Sequence, residues 1–403
     1  MYRREATISP TSSQRCYAEQ VQLISLSYSQ NVGEASEWNL DPFALKTVNL
    51  VVGKNASGKT WALNAIVALA GLVAGERRAD RTASVKYDAV FDQDGARVQY
   101  TLSMMEGAVA AERILKDGDR LMSRGPDGVG KIRAEELNPK EMSFQSPPNE
   151  VAAFARRDLI QHPFLEPLFL WGSSLLHYRF GTPLGRDRFA VMMQQGESAF
   201  NPKDTEAPVV IFHRGQSQFG DDYVAAIVND MRDIGYDIEN IELGGLIPTG
   251  VMPTTPGEFV QLLTKEKTIA APTQQRVMSQ GMFRALSLLI HVNYARLAIK
   301  PTCFIIDDIG EGLDYERSCA LIDVLMTKAS AGGVQLIMST NDRFVMNNVP
   351  LEYWSVLGRT GKVCHVYNHE NTSAFKKFKF TGLNNFDFLA TDYLNSADTT
   401  DAK

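Results

Sequence analysis

Residues 53–60 read Gly-Lys-Asn-Ala-Ser-Gly-Lys-Thr, a match to GxxxxGK[ST]. Two glycines at this spacing let the backbone curl until its N–H groups converge, which makes a cradle for phosphate oxygens. Gly53, Asn55, Ala56, Ser57 and Gly58 supply that loop, and Trp61 is the first residue beyond it. Lys59 would reach the outer phosphates of ATP, and the Thr60 hydroxyl would bind Mg²⁺. Far downstream, Cys303-Phe-Ile-Ile-Asp307-Asp308 ends an apolar run on two carboxylates. Nucleotide hydrolysis needs one acid to hold the metal and another to orient or deprotonate the attacking water. Asp307 suits the first role and Asp308 the second. Ser279-Gln-Gly281 opens a long apolar stretch. A hydroxyl, a glycine amide and a helix start together make an anion site, although serine there is also an ordinary helix cap.

Strands and helices must hold these groups. Residues 47–52 are a short β-branched apolar run, the pattern of a buried strand. Residues 61–74 are rich in Ala and Leu, so the glycine loop lies between a strand and a helix, the context its motif requires. Residues 21–27 alternate as a strand. Residues 84–91, 97–104, 109–116 and 120–123 form short strands separated by turn signals, an antiparallel meander. Residues 125–148 turn polar, with Gly and Pro spaced through them, and read as a linker or surface loop. Residues 149–180 carry helical patterns interrupted at Pro163 and Pro167, and 182–208 are irregular. A strand is expected at 209–212, a helix at 222–234, a Pro/Thr-rich loop at 249–256 and a helix at 279–298. Buried strands at 303–306 and 335–338 flank a helix at 315–329, the order of a parallel sheet. Residues 351–367 hold two more strands. The two halves of the site, 53–60 and 303–308, must then meet at the sheet's C-terminal edge.

Together with Gly310-Glu-Gly-Leu-Asp314, these motifs resemble those of ABC-type ATPases, the superfamily that includes transporter ATPases, SMC proteins and OLD-family proteins. Met278-Ser-Gln-Gly-Met-Phe-Arg284 looks like the signature of that superfamily. The resemblance implies that Ser279 and Gly281 contact the γ-phosphate bound by a second subunit. It also implies a Glu where Asp308 stands; Asp308 is one methylene shorter, and Glu311 is a second candidate for the base. Residues 335–342 resemble the strand that carries the switch histidine, with Asn341 in its place. Asn341 can hydrogen-bond a phosphate oxygen or water but cannot become a cation. By the same resemblance, Gln145 in Ser-Phe-Gln-Ser-Pro-Pro is assigned to the glutamine that links Mg²⁺ to the helical lobe. Residues 112–118, 340–346 and 378–388 look like the OLD-like and SMC-like branch, which includes stand-alone AAA-family ATP-binding proteins of prokaryotic anti-phage gene sets. The TOPRIM nuclease domain of OLD nucleases is not expected in this chain.

Composition sets outer bounds. In 403 residues, 44% are hydrophobic and 22% charged, enough apolar material for a large core. The net charge of −6 argues against a surface that coats DNA as a whole. Arg156, Arg157, Arg179, Arg186 and Arg188 nevertheless place positive charge in one stretch, which reads as a solvated face or as a contact for nucleic acid. The four cysteines form no CxxC pair, and the six histidines have no metal-ligand spacing. Residues 1–19 are polar and expected to be loosely held, with no signal-peptide pattern. No apolar run is long enough to span a membrane, so a cytoplasmic location is expected.

The expected fold is α/β: an ABC-type P-loop head with a mixed sheet, an antiparallel β subdomain and a helical lobe. Expected boundaries are 1–143 for the N-terminal part of the ATPase lobe, 144–270 for the helical insert and 271–403 for the C-terminal part. The expected function is binding and hydrolysis of ATP, with Mg²⁺, by two heads that dimerise head-to-tail. Their closure would control a co-encoded effector (a nuclease, protease or toxin) in anti-phage defence. The alternatives are a DNA-repair or chromosome-associated head that binds nucleic acid directly, and a slow ATP-binding scaffold.

Overall fold

The computed structural model describes residues 21–79, 84–188, 190–192, 201, 203–245, 258–298 and 300–394. Residues 1–19, the loop expected at 249–256 and part of the irregular stretch 182–208 lie outside the described residues. The chain begins with strands β1 (Val21–Gln30), β2 (Trp38–Ala44) and β3 (Val48–Val52), then helix α1 (Lys59–Val73). Six strands follow in succession: β4 (Val85–Gln93), β5 (Ala96–Met105), β6 (Ala108–Lys116), β7 (Asp119–Arg124), β8 (Val129–Arg133) and β9 (Glu141–Gln145). Each pairs antiparallel with the next, as expected of a meander. The meander runs further than expected, because 125–148 is a strand hairpin and not a linker. Within β8 and β9 only Ile132 and Phe144 are buried, so polarity hid the strands.

The middle of the chain holds α2 (Ala152–Ala155), α3 (Glu166–Ser174), β10 (Leu176–Arg179), β11 (Ala190–Met192), α4 (Pro208–Asp233), β12 (Ile238–Gly245), β13 (Glu258–Glu266) and β14 (Thr273–Gln274). The run Val-Val-Ile-Phe at 209–212, expected to be a strand, is the start of α4. A short apolar run does not distinguish a strand from a buried helix turn, and Pro208 in the helix's first turn favours the helix. Strands β11, β13 and β12 make a small antiparallel sheet with β14, so this stretch is not helical throughout.

The last part contains α5 (Gln280–Leu297), β15 (Thr302–Asp307), α6 (Tyr315–Ser330), β16 (Val334–Ser339), α7 (Arg343–Asn348), β17 (Trp354–Thr360), β18 (Val363–Asn368), α8 (Ala374–Phe378) and α9 (Asn385–Ala390). One 14-stranded sheet runs in the order β10-β15-β16-β3-β17-β18-β2-β1-β4-β5-β6-β7-β8-β9. The run from β10 to β17 is parallel. Every residue of β3, β15 and β16 is buried, because helices cover both faces. On one face α1 and α3 pack with Cys303, Ile305 and Ile337. On the other, α4, α5 and α6 pack with Phe304, Ile306 and Leu336. Parallel strands in register bring their C-terminal ends to one edge, where Val51, Ser339 and Asp307 lie side by side.

Candidate nucleotide site

The glycine loop joins β3 to α1. Gly58 is the helix N-cap with φ of 106°, and a Cβ there would lie 3.1 Å from Cys364 Sγ and 3.4 Å from the Trp38 ring. Only glycine takes that conformation in that space without strain. The helix start carries no side-chain cap and no acid in its first turn. Its exposed amides and positive dipole end are therefore open to an anion. Ser57 Oγ is buried without a hydrogen-bond partner among the described residues. An orphaned hydroxyl beside uncapped amides fits a phosphate group, which would satisfy both. Lys59 is buried, and its ammonium donates to the carbonyls of Gly53 at 2.8 Å and Lys54 at 3.4 Å. Burial lowers its pKa, while Asp308 and then Asp307 act to keep it charged. Trp61 is 52% exposed and packs on Trp38 with ring centroids 5.4 Å apart, an open aromatic face one residue past Thr60.

The two acids meet this loop across the sheet. Thr60 Oγ1 donates to Asp307 Oδ2 at 3.1 Å, and Ser339 Oγ donates to Asp307 Oδ1. A hydroxyl and a carboxylate from separate elements form the oxygen donor set a hard cation such as Mg²⁺ prefers. Asp308 lies just past β15 with φ of 57°, an unusual conformation for a residue with a side chain. Its N–H donates to Ser339 Oγ at 3.0 Å, which fixes the turn. Burial raises the Asp308 pKa, as do Asp307 and Glu311, with Lys59 opposing. Adjacent carboxylates thus receive opposite environments: Asp307 accepts two hydroxyl donors, while Asp308 is held towards its neutral form. Asn341 follows β16 by two residues and is exposed.

Ser279 caps α5 by accepting from Met282 N–H at 3.2 Å. Ser279 and Gln280 are exposed, whereas most of the helix behind them is buried. A Cβ on Gly281 would fall 2.4 Å from the Gly312 carbonyl oxygen, so glycine is required for this packing. Arg284 donates to the Glu311 carbonyl at 2.8 Å and, through Nε and Nη2, to the Thr182 carbonyl at 3.3 and 3.2 Å. The helix start and the loop after Asp308 are thereby tied together. Among the described residues, no hydrogen bond or ion pair joins 279–281 to 53–60.

Gln145 is not brought to this site. It lies on β9, at the opposite end of the sheet from β15, with its side chain exposed and its carbonyl accepting from Arg156. The strand that flanks β15 is β10, which ends at Arg179. Residues 176–180, Leu-His-Tyr-Arg-Phe, do alternate with period two, a strand signal hidden inside a stretch read as helical. The other arginines of that stretch are turned to this chain's own groups. Arg157 forms a bidentate pair with Glu166 and lies 3.2 Å above the Phe169 ring. Arg156 donates to Gln145, Arg186 to the Met278 carbonyl at 3.2 Å, and Arg188 pairs with Glu206 at 2.5 Å.

No family model matches the chain, and no curated protein matches it. Solved structures do. An SMC head bound to the C-terminal winged-helix domain of ScpA aligns over 88% of this chain and 99% of its own, at 14% identity and a TM-score of 0.50. An SMC head with an extended coiled coil, bound to the C-terminal domain of ScpA from Pyrococcus furiosus, covers 89% of this chain and 98% of its own, at 11% identity and 0.47. The SMC head from Thermotoga maritima covers 86% and 98%, at 14% identity and 0.40. The chain has the fold of an SMC head, the ABC-type ATPase fold.

Proposed function

We propose that this protein binds ATP with Mg²⁺ and hydrolyses it between two copies facing head-to-tail. The observation that carries the reading is the meeting of Thr60 with Asp307 beside an uncapped helix start, with the Lys59 ammonium at the same loop. Thr60 and Asp307 would hold Mg²⁺, which when bound spreads the charge of the phosphates. Lys59 and the loop amides bind and orient the phosphate chain. Asp308 accepts a proton from the attacking water, and Asn341 hydrogen-bonds that water or a phosphate oxygen. The exposed face of Trp61 is placed to stack against the base or ribose. Ser279 and Gly281 have no partner in the phosphate loop of their own chain, and a second copy would supply the missing half.

Closure of the two heads is then the output, passed to an effector such as a nuclease, protease or toxin, in anti-phage defence. One SMC head of this fold carries a winged-helix domain of ScpA, which supports a head of this kind docking a partner. The second reading, a slow ATP-binding scaffold, is favoured by the short Asp308 side chain and the uncharged Asn341. Both predict that Lys59→Ala loses ATP binding in a calorimetric titration. They part on phosphate release, which a scaffold would lack. Unchanged ATP affinity in Lys59→Ala would remove both.

A further inference from the structure

Gln145 is absent from the site, and the strand next to the metal-side carboxylate ends instead on a cation. Strand β10 runs parallel to β15 with Arg179 in register with Asp307. Neighbouring strands are about 4.8 Å apart, so the two residues start side by side. They also point to the same face. Leu175 joins Cys303 and Ile305 in the core packed under α1, whereas Leu176, Tyr178 and Phe180 join Phe304 and Ile306 in the opposite core. Alternation therefore places Arg179, with Asp307, on the face that α1 covers.

The backbone at this point is fixed. Phe180 N–H donates to the Asp307 carbonyl at 3.0 Å, and the Arg179 carbonyl accepts from Thr182 N–H at 3.0 Å and Thr182 Oγ1 at 2.9 Å. The guanidinium is exposed and, among the described residues, has one weak hydrogen bond, Nη2 to Asn64 Oδ1 at 3.5 Å. Asn64 lies four residues after Thr60 on α1, one turn along the same helix face. The end of Arg179 is thus about one helical turn from the Thr60 hydroxyl. The neighbouring His177, on the same strand face, stays neutral: burial and the charge of Arg179 lower its pKa to about 4. It adds no second cation.

A guanidinium offers only donors and a fixed positive charge, so it cannot ligate a metal ion as a glutamine amide can. Thr60 and Asp307 would hold Mg²⁺ against the phosphate chain, so the outer phosphates would rest near these two residues. We propose that Arg179 contacts the γ-phosphate of ATP bound to its own subunit, where it replaces a neutral metal-linking side chain with a counter-charge. The proposal rests on the phosphate-loop reading above. It makes Arg179 a discriminator between ATP and ADP, and Lys59 is then not the only cation at the phosphates.

The test is a titration of the full chain with Mg²⁺ and either ADP or a non-hydrolysable ATP analogue. Loss of a charge-assisted hydrogen bond is worth about tenfold or more in affinity. Arg179→Ala should weaken the ATP analogue by that factor and leave ADP within about twofold. Arg179→Lys, which keeps the charge, should recover most of the loss. Equal weakening of both nucleotides, or of neither, would overturn the proposal. Lys59→Ala separates the two levels of the account. If it loses both nucleotides while Arg179→Ala loses neither, only the role of Arg179 falls. If Lys59→Ala binds both normally, the phosphate-loop reading falls and this proposal with it.

Discussion

Asp307 and Asp308 are neighbours in sequence with divergent chemistry, and the divergence is set by what each carboxylate touches. Asp307 accepts hydrogen bonds from the Thr60 and Ser339 hydroxyls. Burial, then Asp307 and Glu311, hold Asp308 towards its protonated form. A base must be ionised to accept a proton, so hydrolysis should be lost below the raised Asp308 pKa and should rise as pH passes through it. The acid limb of kcat is therefore expected above the ordinary carboxylate range of about 4. Phosphate release measured across pH checks this, and an acid limb in the ordinary range would contradict the assignment. Asp308→Asn should slow release by roughly 10² or more. The same shift has a consequence for stability. A carboxylate whose pKa is raised by folding destabilises the fold as pH rises from its unfolded to its folded value, because the native state must give up a proton it holds more tightly. Asn carries no such charge and tolerates positive φ well. Asp308→Asn is thus expected to raise Tm at neutral pH, with the difference shrinking below pH about 4, where both states are protonated. Calorimetric melts at the two pH values read it directly.

At the scale of elements, the meander is locked to the middle of the chain by one buried carboxylate. Glu112 on β6 accepts from the N–H groups of Ala152 at 2.6 Å and Ala153 at 2.9 Å, and from Tyr100 Oη at 2.9 Å, with Arg124 at 3.9 Å. It caps α2, whose own N-cap residue Val151 makes no side-chain cap hydrogen bond. Glu112→Ala would leave two helix amides without an acceptor and the buried Arg124, which still donates to the Glu150 and Pro147 carbonyls, without its counter-charge, and a loss of about 3–5 kcal/mol is expected in urea unfolding. A loss below about 1 kcal/mol, as for an exposed pair, would contradict this. Such locks were not legible beforehand, since they depend on partners far apart in the chain. The strands β3, β15 and β16 and the helices α5 and α6 were legible, because continuous apolar runs next to glycine turns and helical periods are local signals. The glycine loop between β3 and α1 and the Asp307 strand were legible for the same reason. Strand β10 was not: it is four residues long and directly follows α3, so it merged with a helical stretch. That error moved the metal-linking role to Gln145 and grouped Arg179 with arginines that pair within the chain. Residues 129–145 were missed as strands because an edge hairpin buries only one face, and little of that.

At the scale of the whole molecule, the site looks incomplete in one copy. The phosphate loop and Asp307 come together, while the exposed start of α5 presents Ser279 and Gly281 without a partner in that loop. Gly281 and Arg284 bind this start to the loop after Asp308. Two copies related by a two-fold axis would complete two equivalent sites. Nucleotide that touches both partners only in the closed state must stabilise the dimer by linkage. Asp308→Asn should bind ATP, fail to hydrolyse it and accumulate as that dimer. Ser279→Arg should place a bulky side chain where the partner's phosphates would lie, and so block closure while the isolated subunit still binds ATP. Among the described residues, no helix is long and apolar enough to cross a membrane. The most direct test is molar mass by light scattering with ATP and Mg²⁺. The account predicts twice the 44.7 kDa chain mass for Asp308→Asn, falling to one chain when nucleotide is removed, and a single chain for Ser279→Arg under all conditions. A Ser279→Arg protein that self-associates with ATP and releases phosphate as the wild type does would contradict it, and Ser279 would then be a helix cap alone.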